Sequence, residues 1–69
     1  MSQTEKILTY MRDYGSITPL DALEQFGCMR LAARIADIRA NGVNVISTIE
    51  QSKNRYGDTV RFARYRLEE

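Results

Sequence analysis

The 69 residues carry ten Lys and Arg against nine Asp and Glu, with no histidine, one cysteine and a net charge of +1. A chain this short is expected to fold as one domain over residues 1–69, burying only about 60% of its unfolded surface, which leaves no room for a deep catalytic cleft. The lone Cys28 rules out an internal disulfide and, without histidine, the usual zinc ligand sets in a monomer. No apolar run approaches the roughly 20 residues that span a bilayer, and Met1–Glu5 lacks the basic-then-apolar start of a secretory signal. The expectation is a cytoplasmic protein without cofactor or membrane contact.

In chain order, Ser2 and Glu5 stand at the spacing of a capping box, and Ile7, Leu8, Met11 and Tyr14 recur every three or four residues up to Gly15. A first helix is expected over Gln3–Tyr14. Thr18-Pro19-Leu20-Asp21 is a stronger start: a cap, a proline suited to the first helical position, and an acid in the first turn. The second helix is short, with Ala22, Leu23 and Phe26 on its apolar side and Gly27 as its stop. Ile17, between the two helices, suits a brief edge strand. Cys28 to Asn41 renews helical periodicity, with Leu31, Ile35 and Ile38 inward, alanines between them and Gly42 at the end.

Beyond Gly42 the pattern changes to β-branched residues over Val43–Ile49 and to alternation over Thr59–Leu67, where Ala63, Tyr65 and Leu67 share a face. Gln51–Asp58 between them is polar and turn-forming, so an antiparallel hairpin with an exposed tip is the simplest connection. Arg64 and Arg66 share the other face with Phe62 and are expected on the solvent side, and the spacing puts Tyr10, Tyr14 and Tyr65 in or beside the core. Three helices followed by a two-stranded antiparallel hairpin make a small α+β winged helix-turn-helix.

The near-zero net charge hides an uneven distribution. Residues 1–28 hold two basic against four acidic side chains, and residues 29–69 hold eight against five, seven of the eight being arginine. Arginine suits bidentate contact to phosphate or to guanine. Basic charge therefore gathers on the third helix and the hairpin. Arg30 and Arg34, a turn apart and opposite the apolar stripe, with low-relief Ala33 beside them, are candidates for the major groove, and Met29 for van der Waals contact. Lys53, Asn54 and Arg55 at the tip are candidates for phosphate or the minor groove. Asp37 can pair with Arg34 and belongs near the edge of such a contact. No serine has a histidine partner, no carboxylates stand as a spaced pair, and the glycines are scattered stops, so no enzyme is expected. The competing reading is an interaction module that binds a host or phage protein.

The run Ile17-Thr18-Pro19-Leu20-Asp21-Ala22-Leu23 to Phe26-Gly27, then Met29-Arg30-Leu31-Ala32-Ala33-Arg34-Ile35 to Gly42, with Ala63-Arg64-Tyr65-Arg66-Leu67 at the close, resembles small helix-turn-helix proteins of bacteriophages and prophages. The resemblance covers most of the chain after residue 16. It departs from repressor-type spacing in that Ala22 precedes Gly27 by five residues rather than four. It implies a winged helix-turn-helix with Met29, Arg30, Ala33 and Arg34 at the start of the recognition helix. With the basic charge on the third helix and hairpin, the expected partner is double-stranded DNA, and the expected role that of a phage or mobile-element regulator or DNA-transaction accessory factor in a bacterial cell; with no long extra helix to make a dimer, a monomer or weak homodimer is expected.

Overall fold

The computed structural model describes residues 1–68. Three helices precede one hairpin: α1 (Gln3–Tyr14), α2 (Pro19–Phe26), α3 (Leu31–Ala40), β1 (Val45–Lys53) and β2 (Thr59–Leu67). β1 and β2 pair antiparallel from Val45 opposite Leu67 to Lys53 opposite Thr59. Ile17 joins the far edge of β2 by two backbone bonds to Tyr65, 2.8 and 2.9 Å long, the brief edge strand expected of it.

Local chemistry accounts for the helix ends. At α2 the capping box is complete: Thr18 Oγ1 accepts from the Asp21 amide, and the Asp21 carboxylate accepts from the Thr18 amide. At α1 it is half made. Ser2 Oγ accepts from the Glu5 amide at 3.1 Å, but its hydroxyl also donates to the Glu5 carboxylate, which therefore does not close the box on the Ser2 amide. α3 ends in paired bonds from the Gly42 amide to the Arg39 carbonyl and from the Val43 amide to the Ile38 carbonyl, a geometry that needs the left-handed φ of +88° at Gly42.

The core consists of Ile7 and Met11 from α1, Ile17, Ala22, Cys28, the stripe Leu31, Ile35 and Ile38 from α3, and Val45 from β1. Leu8, Tyr10, Phe26, Val43, Tyr65 and Leu67 pack around it, half-buried. Cys28 is a small apolar plug in the turn between α2 and α3. Arg39 clamps α3 to the sheet by donating from Nη2 (2.8 Å) and Nε (3.3 Å) to the Val45 carbonyl.

Several expectations are corrected. α3 begins at Leu31, not Cys28: Arg30 caps it at φ −129°, ψ 54° without a side-chain bond. Cys28 lies in phase with Leu31 and Ile35, so the buried periodicity runs through the turn although the helix does not. β1 starts two residues later than Val43 and continues to Lys53, leaving a tight turn in place of a long loop. Tyr14 is exposed and rests on Tyr10, ring centroids 4.6 Å apart, instead of entering the core. Leu23 is likewise exposed. Arg64 and Phe62 are half-buried and not on a bare solvent face: Arg64 donates to Glu50 (2.8 Å) and to Ser16 (2.9 Å), tying the hairpin to the α1–α2 connection.

Ile35→Ala should destabilise the fold by about 2–5 kcal/mol, because Ile35 is fully buried in the core and its truncation leaves a cavity there. The thermal midpoint should drop by roughly 4–8 °C per kcal/mol, and an unchanged midpoint would mean that the helix packs by another face. Thr18→Ala should cost about 0.5–2 kcal/mol and Ser2→Ala less, since only the first breaks a complete capping box. Equal losses in paired unfolding curves would contradict that ranking.

Candidate nucleic-acid interface

The hairpin is longer than the core can cover. Its strands have nine residues each, yet every residue from Gln51 to Arg61 is exposed, and the molecule measures 39 × 23 × 20 Å. The outer half is thus a projecting wing. Its tip is a hydrogen-bonded turn: the Asn54 amide donates to the Asp58 carbonyl, Asn54 Oδ1 accepts from the Tyr56 and Asp58 amides, and Gly57 takes a φ of +82°. Asn54, a sequence candidate for contact, has its side-chain oxygen committed to shaping this turn. Arg55 and Tyr56 are held out at the apex, Tyr56 being 82% exposed and not folded back on the strands.

Pairing inside the fold sorts the eight basic residues of the C-terminal part. Arg34 binds Asp37 at 3.3 Å, Arg39 holds the Val45 carbonyl, and Arg64 holds Glu50 and Ser16. The Glu50 hydrogen bond also shifts the Arg64 pKa up, against the opposing effect of burial, so Arg64 stays charged. Among the described residues, Arg30, Lys53, Arg55, Arg61 and Arg66 have no ion pair or side-chain hydrogen bond. Three of these five lie on the wing. Period-two alternation places Arg61 on the same face as Lys53, diagonally across the strand pair, and opposite to Arg64. Arg61 is therefore a candidate that sequence reasoning did not single out, although counting parity along β2 separates it from Arg64 and Arg66.

The third helix presents a different surface. Ala32, Ala36 and Ala40 are exposed and Ala33 half-buried, so its outer side has little relief, as insertion into a groove about 12 Å wide requires. Met29 is 84% exposed and Arg30 is exposed, both in the turn that leads into α3. Arg30 is the N-cap and not a helical residue, one turn before Arg34, whose amide donates to the Arg30 carbonyl at 3.3 Å. Arg34 is half-buried, and its Nε has no hydrogen-bond partner. Its bond to the exposed Asp37 is a partly solvated pair of little strength, easily exchanged for a phosphate or a base.

Between this turn and the wing lies an apolar groove of about 670 Å³, lined by Leu20 and Leu23 of α2, by Met29 and Leu31, and by Val60 and Phe62. It brings Met29 beside the wing. Nothing in the hydrophobic spacing of α2 pointed to it, since Leu23 read as an ordinary inward residue of a short helix and Leu20 as part of its start signal.

No described helix is long and apolar enough to cross a membrane. No curated protein and no solved structure matches the chain. A family model described as a winged helix-turn-helix domain matches residues 2–69. That match spans the three helices and the hairpin, with the projecting turn as its wing, and the chain belongs to the winged helix-turn-helix domain family, a DNA-binding architecture.

Proposed function

We propose that this protein binds double-stranded DNA with a sequence preference, as a transcription regulator or DNA-transaction accessory factor of a phage or mobile element in the bacterial cytoplasm. The observation that carries this reading is the cluster of cations Lys53, Arg55 and Arg61, unpaired among the described residues, on a projecting wing next to the exposed Met29–Arg30 turn of a helix with an alanine surface. The likeness of Ile17–Gly42 to phage and prophage helix-turn-helix proteins supports the mobile-element part.

The roles divide by position. Lys53, Arg55 and Arg61 neutralise phosphates or line the minor groove, which supplies affinity without base information. Arg30, and Arg34 once released from Asp37, reach base edges in the major groove, with Met29 and Ala33 in van der Waals contact, for instance with a thymine methyl. Asn54 holds the wing turn that aims Arg55. Catalysis has no part in this reading.

One observation favours the alternative, a module for binding a host or phage protein: the apolar groove between α2 and the wing, which duplex DNA has no need of. Salt separates the two readings. Binding through about three to five phosphates gives a log–log slope of affinity against salt of roughly −3 to −4.5. Folded protein at about 100 µM that retards no duplex at low salt would leave the interaction module in front.

Within the site, Lys53→Ala, Arg55→Ala or Arg61→Ala should weaken all duplexes alike and reduce the slope by about one. Arg30→Ala should cost about 1–3 kcal/mol at a preferred sequence and flatten the preference among sequences. Wing variants that change sequence preference, with an Arg30 variant that does not, would move recognition from the helix to the hairpin.

A further inference from the structure

Among the described residues, no strand pairs with the outer edge of β1. The Glu68 amide donates to the Asn44 carbonyl, and the Asn54 amide to the Asp58 carbonyl, so the even-numbered residues of β1 are those bonded to β2. The odd-numbered residues direct their amides and carbonyls the other way. Arg39 takes the outward carbonyl of Val45. Among the described residues nothing takes those of Ser47, Ile49 or Gln51. On β2 the matching outward groups of Tyr65 are met by Ile17, so the structure covers one edge near its base and leaves the other open.

Exposed strand edges are ordinarily blunted by proline, a bulge or an inward charge. Ser47–Gln51 has none of these. Its one charged residue, Glu50, points to the opposite face from Ile49 and is held by Arg64 at 2.8 Å. Ile49 is 68% exposed at the centre of the segment.

We propose that this edge pairs with the same edge of a second copy, Ile49 opposite Ile49, to give a two-fold dimer with a continuous four-stranded antiparallel sheet. The inference stands independently of the DNA reading. Charge and hydrogen bonding select the register. Centred on Ile49, Ser47 faces Gln51 and Thr48 faces Glu50, so no like charges meet. Centred one residue later, Glu50 would oppose Glu50, which is unfavourable. Centred one residue earlier, the pairing would need the Val45 carbonyl, already held by Arg39. Arg39 ends the free edge at one side, and the charge of Lys53 ends it at the other. An isologous contact of this kind is self-complementary and closes at two copies.

The test uses the full chain in sedimentation equilibrium and backbone amide exchange between about 10 µM and about 1 mM, the range in which a weak dimer forms. The mass should rise from 7.9 kDa towards twice that value. Over the same range the Ser47, Ile49 and Gln51 amides should gain several-fold protection, while Thr48 and Glu50 stay protected throughout. Ile49→Lys and Ile49→Glu, at an exposed position, should each remain folded by circular dichroism and monomeric alone, because like charges then face each other. Mixing the two variants should restore the dimer. A chain that stays at 7.9 kDa through about 1 mM overturns the proposal. So does a dimer indifferent to both Ile49 variants, or a mixture that stays monomeric.

Discussion

The structure depends on how little core a chain of this length can form. Among the described residues nine buried apolar side chains, centred on the α3 stripe of Leu31, Ile35 and Ile38, hold the three helices and the start of β1 together. They reach the hairpin only at Val45, with Tyr65 and Leu67 at the margin. Strands of nine residues therefore outrun the core, and their outer halves project into solvent. Burial of α3 and projection of the wing are two consequences of one constraint. The apolar spacing that anchors the helix also turns its alanine side outward.

Pairing inside the fold then determines which charges remain for a partner. Arg34, Arg39 and Arg64 each have an intramolecular task, and two of them tie elements together: Arg39 joins α3 to β1, and Arg64 joins the hairpin to Ser16. The unpaired cations are concentrated on the wing. A formal charge of +1 thus becomes a basic projection beside a low-relief helix. The family match and this charge distribution point the same way, and the apolar groove next to Met29 is the feature that neither requires.

Much of this was legible in the residues themselves. The bounds of α1 and β2, the Thr18–Asp21 cap, the buried face of α3 and the Ile17 bridge follow from spacing and from cap and stop residues, which act locally. The start of α3 was not legible, because Cys28 is buried in phase with the helix while its backbone belongs to the turn. The end of β1 was hidden because Gln51, Ser52 and Lys53 look like loop yet continue the ladder, closed by the Asn54 side chain. At the candidate site, the sequence showed which residues are basic. It did not show that Arg64 is engaged, that Arg61 sits with Lys53, or that Leu20 and Leu23 line a groove, because those depend on contacts between elements distant in sequence.

The central claim is that the Met29–Arg30 turn and the wing act as one DNA-facing surface. Titrating a short duplex into nitrogen-labelled protein at low salt and following the backbone amide resonances tests it most directly. The largest changes should fall at Met29–Leu31 and Ala33–Arg34 and at Lys53–Tyr56 and Arg61, leaving Leu20, Leu23 and the α1 surface little altered. Changes centred on the groove residues Leu20, Leu23 and Phe62, or spread over α1 with the wing unaffected, would contradict it.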